Sequence, residues 1–240
     1  MDPQAADLIK SEAGGKIADL INRLAGPLAD ELGMMLGDKM KVYRVKNWVR
    51  TIGKTARILR DAGVPANAVP PRLFLPITEA CSVEDNESLQ EMWAGLLATA
   101  AQKSDSVPPS FIETLKQLTP AEAKYLDALF DSEKRSHPHW KWGYMPIYHH
   151  SLTQKGGLPA EVTADAFERL GLIRREYKIK LEGFKELKDA SSLAGVARVI
   201  DRMASTDVDY DFYFTEFAVA FLDACRGPLP ASKQGDNPGS

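Results

Sequence analysis

Pro70 and Pro71 remove two successive amide donors, so no helix runs through them, and apolar residues return at helical spacing only beyond them. Leu73, Leu75, Ile77 and Ala80 predict one helix. Ser82 then stands ahead of Glu84, Asp85 and Glu87, a small polar residue and acids that suit the positive end of the next helix. Leu89, Met92, Trp93, Leu96, Leu97 and Ala100 predict that this second helix buries a face. Residues 69–102 therefore predict two helices with a common core, around which the remaining segments must arrange themselves. The stretch carries no catalytic signature.

The chain has 240 residues, enough for one large domain or two small ones, and the punctuation favours two. Hydrophobic residues at 44% and charged residues at 26% exclude a wholly disordered or fibrous chain. A net charge of -3 gives no overall attraction to nucleic acid, so only a local patch can supply one. Cys81 and Cys225 belong to no metal-like spacing and read as small buried apolar residues of a reducing compartment. The first residues lack the basic start and apolar core of a secretory signal, and no window holds about 18 uninterrupted apolar residues. A cytoplasmic protein is expected, with peripheral contact to a membrane surface left open.

Ile17, Leu20, Ile21, Leu24, Leu28, Leu32 and Met35 form a helical stripe that Pro27 should kink or divide. The segment that follows is the most polarised of the chain. Val42, Val45, Trp48, Val49, Ile52, Ala56 and Leu59 trace one face of a helix, while Lys39, Lys41, Arg44, Lys46, Arg50, Lys54, Arg57 and Arg60 occupy much of the rest. Between Asp38 and Asp61 eight bases face two acids, a local charge of +6. Membrane-surface helices, nucleic-acid contacts and ordinary amphipathic helices with charged outer faces all have this pattern. Glu79, Glu84, Asp85, Glu87 and Glu91 offer an internal explanation, as acids on the next helices that can face it. The eight bases are the candidate partner-binding residues.

The polar, doubly proline segment 102–110 predicts a boundary near residue 107. The expected fold class is mainly α: a helical domain over 1–106 and a winged-helix-like domain over 107–226 with a two-stranded β-hairpin. Thr119, Pro120 and Glu122 form a helix start, and Val162, Ala166, Phe167 and Leu170 predict the inner face of a later helix ending at Gly171. Residues 172–180 and 210–215 read as the strands of the wing, with Phe212 and Phe214 on one side. The long connection 181–209 between them is an insertion, and the tail 227–240 has too little apolar content to order itself.

All four histidines fall in HPHWKWGYMPIYHH, from His137 to His150, which raises the alternative of a metal-dependent hydrolase. Neither His137 with His139 nor His149 with His150 has the helical spacing that turns two imidazoles toward one ion, so no metal and no cofactor are expected. The aromatic residues of that loop read instead as anchors. A second alternative is a winged-helix DNA-binding regulator, but its recognition helix would carry Glu161, Asp165 and Glu168 against Arg169, the wrong sign for phosphates. Arg174, Arg175, Lys178 and Lys180 on the wing are a partial counterweight. Asp207, Asp209 and Asp211 alternate along a strand as a solvated face does. Phosphate-loop, dinucleotide, nucleophile-elbow and zinc-protease motifs are missing, which leans the reading away from an enzyme.

Five stretches in order carry a resemblance: LAGPLADELGMMLGDKMKVYRVKNWVR at 24–50, VPPRLFLPITEACSVEDNESLQEMWAGLLATA at 69–100, VPPSFIETLKQLTPAEAKYLDAL at 107–129, and the pair FERLGLI with YFTEFAVAFLDAC near the C-terminal end. Together they resemble the Abi-alpha (abortive infection alpha) family of bacterial proteins. The resemblance implies a part in defence against bacteriophage, in which an infected cell dies or stops growing before phage matures. It carries no catalytic residues onto this chain, and the histidine-aromatic loop and the 181–209 insertion lie outside the pattern. An interaction protein is expected, with an unidentified protein or phage component, an anionic membrane surface or a second copy of the chain as partner, and nucleic acid not favoured.

Overall fold

The computed structural model describes residues 12–25, 40–137, 145–147, 160–178 and 209–229. The protein is mainly helical with a small antiparallel sheet, as its residue pattern predicts. It packs as two units: one holds Met1–Phe130 together with Val219–Ser240, and the other holds Asp131–Ala218. Pro27 and the apolar positions beyond it up to Met35 lie outside the described residues, as do the 181–208 connection and the tail from residue 230.

The first unit is a helical bundle built from α1 (Glu12–Ala25), α2 (Met40–Ala62), α3 (Pro71–Val83), α4 (Glu87–Gln102) and α5 (Pro109–Gln117). It also takes the larger part of α6 (Pro120–Ser136), and the end of the chain's last helix. Pro71 opens α3 at a position where a missing amide costs nothing. Ser82 does not cap the next helix. It is the buried penultimate residue of α3, its hydroxyl donating to the Glu79 carbonyl at 2.7 Å, and Asn86 takes the cap by accepting the amides of Ser88 and Leu89. Leu75, one of the expected apolar positions, is 39% exposed, and Phe74 and Cys81 fill the inner face with Leu73 and Ile77. The predicted start of α6 is a reciprocal capping pair: Glu122 N–H donates to Thr119 Oγ1, and Thr119 N–H donates to the Glu122 carboxylate.

Every residue of α4 from Met92 to Ala98 is buried, so this helix is surrounded rather than laid on a surface. Small residues make that possible. At Gly95 an added Cβ would lie 1.9 Å from the Cys225 carbonyl oxygen, so the last turn of the closing helix rests against bare backbone. Thr99 Oγ1 donates to the Ala224 carbonyl at 2.8 Å beside it. Gly227 ends that helix with φ +83, a conformation that glycine adopts without strain.

The second unit carries a sheet of order β1-β3-β2, all antiparallel, from β1 (Met145–Ile147), β2 (Ile173–Lys178) and β3 (Asp209–Phe214). The two strands expected from alternation are present, and a third, β1, adds to the other edge of β3. Phe214 is flanked by Met145 and Ile173, all three buried, which makes one layer of the core. Phe212 is buried on the same side. Helix α7 (Ala160–Arg169) packs on β2. It buries Thr163, Ala164 and Phe167, whereas Val162, expected inside, is 66% exposed. Gly171, at φ +70, ends its turn, and the Leu172 amide returns to the Phe167 carbonyl at 2.8 Å. Thr215 then locks strand to helix: its hydroxyl donates to the Gly171 carbonyl and accepts the Ala218 amide at the head of α8 (Glu216–Arg226).

Candidate functional site on the basic helix

Helix α2 lies against α1, α3 and α4. Val45, Trp48, Val49, Ile52 and Leu59 are buried, as the apolar spacing predicts, and three polar residues join them. Thr51 and Thr55 donate to the carbonyls one turn back, and Asn47 donates to the Ser82 carbonyl at 3.4 Å. The apolar stripe is consequently consumed by the bundle.

The eight candidate bases separate into distinct environments. Lys39 and the Lys41 side chain lie outside the described residues. Arg44 turns inward and donates Nε to Ser82 Oγ at 2.9 Å. Lys54, with 13% of its side chain exposed, reaches Glu87 at 2.5 Å and Glu91 at 3.2 Å. Arg57 donates to both oxygens of Glu91 at 2.9 Å. Of the five acids expected to face this helix, Glu87 and Glu91 do so through ion pairs. The Lys54 ammonium, through its hydrogen bond and then its charge, holds the Glu87 carboxyl below its ordinary range.

Lys46, Arg50 and Arg60 point to solvent, with Arg60 3.5 Å from the carboxylate of its neighbour Asp61. Steps of four, eleven and fourteen residues return to nearly the same direction on a helix, so Lys46, Arg50, Arg57 and Arg60 share one outer stripe about 21 Å long. Two residues absent from the sequence-based site belong to it. Tyr43 begins the stripe and is 48% exposed. Gly53 interrupts it at the centre, where an added Cβ would meet nothing within 4 Å. An interior glycine costs a helix about 1 kcal/mol relative to alanine, and no packing among the described residues asks for it. That cost was the signal available in the sequence.

The other candidates are placed as follows. His139, His149 and His150 lie outside the described residues. His137 Nδ1 is 3.1 Å from the Glu133 carbonyl and 3.6 Å from the Glu133 carboxylate, which is fully buried and has no hydrogen-bond partner among the described residues. Among the described residues no three His, Cys, Asp or Glu side chains come together as a metal-binding group. Cys81 and Cys225 are free and buried, as expected; burial pushes the Cys81 thiol up to about 12 and the Cys225 thiol well above its ordinary value. On the sheet, Arg175 pairs with Asp165 at 2.6 Å and Glu168 at 3.5 Å and stacks over the Phe212 ring at 5.3 Å. Two acids of α7 thus pair with a base of β2. Among the described residues no helix is long and apolar enough to cross a membrane.

These features define a mainly helical protein whose most charged helix is built into a bundle and keeps a basic outer stripe. Comparison with protein families identifies it further: residues 43–225, most of the chain, match the model described as Abortive infection alpha. The chain belongs to that family, whose name assigns it to abortive infection. Neither the curated proteins nor the solved structures contain a match to it.

Proposed function

We propose that this protein acts in bacterial anti-phage defence by binding an acidic protein partner through the outer stripe of helix α2, without catalysis of its own. The observation that carries the reading is the division of that helix into a buried apolar face and an exposed arc holding Lys46, Arg50, Arg57 and Arg60 with Tyr43. A helix that lies in a membrane interface must offer its apolar face to lipid, and here that face is packed against three other helices. The charged arc with Tyr43 remains outside. Complementary charge across an interface steers encounter and fixes orientation, and an aromatic residue at its edge supplies contact area at small entropic cost.

Lys46, Arg50 and Arg60 changed together to Glu bring the charge between Asp38 and Asp61 from +6 to 0 without touching the buried face. The expected result is loss of phage protection in cells, measured by plaque counts, with thermal melting unchanged. Full protection by the well-folded variant removes the stripe from the mechanism. Sedimentation of the parent with anionic vesicles at low salt distinguishes the membrane alternative: each basic group near such a surface contributes about 1 kcal/mol, so binding that the triple change abolishes would replace the protein partner with lipid.

A further inference from the structure

A cleft of about 510 Å3 opens in the first unit, a volume within the range of small-molecule sites. Val83, Trp93, Leu115 and Leu118 give it an apolar lining, and Arg44, Glu79, Glu84 and Lys116 bring two charges of each sign. Two of these four are already committed among the described residues. Lys116 pairs with Glu113 at 3.0 Å, and Glu84 Oε1 accepts the Asn86 amide at 2.8 Å.

Arg44 and Glu79 are different. Arg44 is held by one bond, Nε to Ser82 Oγ, and Ser82 is itself held by donating to the Glu79 carbonyl. The guanidinium is therefore positioned while its two terminal nitrogens have no partner among the described residues. The Glu79 carboxylate is exposed and likewise has no partner among the described residues. An aimed guanidinium calls for a carboxylate, a carboxylate calls for an ammonium group, and the apolar lining calls for a hydrophobic body between or beside them. A ligand of one charge only would leave the opposite rim group facing its own sign or nothing.

We propose that this cleft binds a small zwitterion of amino-acid type with an apolar side chain, its carboxylate on Arg44, its ammonium on Glu79 and its side chain against Val83, the exposed apolar residue of the lining. The site is separate from the outer stripe of the same helix, and it stands or falls independently of the proposed partner surface.

Titration of the full chain with phenylalanine, phenylacetate and phenethylamine, followed by ligand-observed NMR, tests the assignment. Phenylalanine should bind saturably, and each compound lacking one charge should bind roughly tenfold more weakly, as expected for one lost charge-assisted hydrogen bond. Arg44→Gln should weaken phenylalanine and phenylacetate and leave phenethylamine unchanged; Glu79→Gln should weaken phenylalanine and phenethylamine and leave phenylacetate unchanged. Lys103→Gln, an exposed position that does not line the cleft, should change none of them. Absence of saturable phenylalanine binding overturns the proposal, as does equal binding by the parent and the Glu79→Gln variant. Glu79 is exposed and makes no side-chain bond within the described residues, so its variant carries the test even if Arg44→Gln melts early.

Discussion

The same substitution, glycine to alanine, has opposite consequences at two helical positions because their surroundings differ. At Gly95 the new methyl group would overlap the Cys225 carbonyl, which is backbone and cannot turn aside, so Gly95→Ala should destabilise by about 1–3 kcal/mol or more in a thermal or denaturant melt. At Gly53 the space is open, and Gly53→Ala should stabilise by about 0.5–1 kcal/mol through helix propensity. Lys54 poses a residue-scale question of pH. Because its ammonium lowers the Glu87 carboxyl, the pair supports folding above the unfolded carboxyl range and ceases to do so as pH falls through the lowered folded value. NMR titration of Lys54→Met should move the Glu87 carboxyl back up toward its ordinary value. Glu87 is solvent-exposed, so the change should appear in its titration rather than in the melting temperature.

Helices and strands follow their local signals closely where those signals are backbone rules. Pro71 at the start of α3, the Thr119–Glu122 capping pair and Gly171 at the end of α7 all stand where residue chemistry places them. Strand β3 also obeys its alternation, with Phe212 and Phe214 buried. Phe214 sits between two partner strands, so Phe214→Ala should cost roughly 3–5 kcal/mol, read from the denaturation midpoint; a variant that melts like the parent would contradict this packing. Side-chain direction was less legible. Val162 and Leu75 are apolar and in helical phase, yet both are exposed, because periodicity reports a stripe but not its width or which neighbour covers it. Strand β1 is only Met145–Ile147, too short for alternation to register, and its pairing is supplied by β3.

At the scale of the whole chain, the first unit includes residues from both ends, and the polar segment around residue 107 lies inside it as a short turn at Ser104–Ser106 followed by the buried Val107. Phe221 meets Phe111 edge to face at 5.6 Å, and Arg226 donates to the Asp127 carboxylate at 2.7 Å while covering the Phe130 ring. A chain ending at Ala218 should therefore lose on the order of 5 kcal/mol or more from the first unit, the sum expected for the lost burial of Phe221, Leu222 and Cys225. Cooperative melting of that truncated chain at the parent's temperature would contradict the assignment. The amino-acid sequence by itself determined the mainly helical class, most helix and strand limits, the two buried cysteines and the family, since these rest on backbone preferences and patterns read over a few neighbouring residues. Tertiary structure alone decided which bases of α2 remain outside and where helix α8 docks. Those outcomes depend on partners 33 to 125 residues away, as with Lys54 and Glu87 or Thr99 and Ala224, and a side chain's charge and spacing do not specify which distant group the folded chain will bring to it.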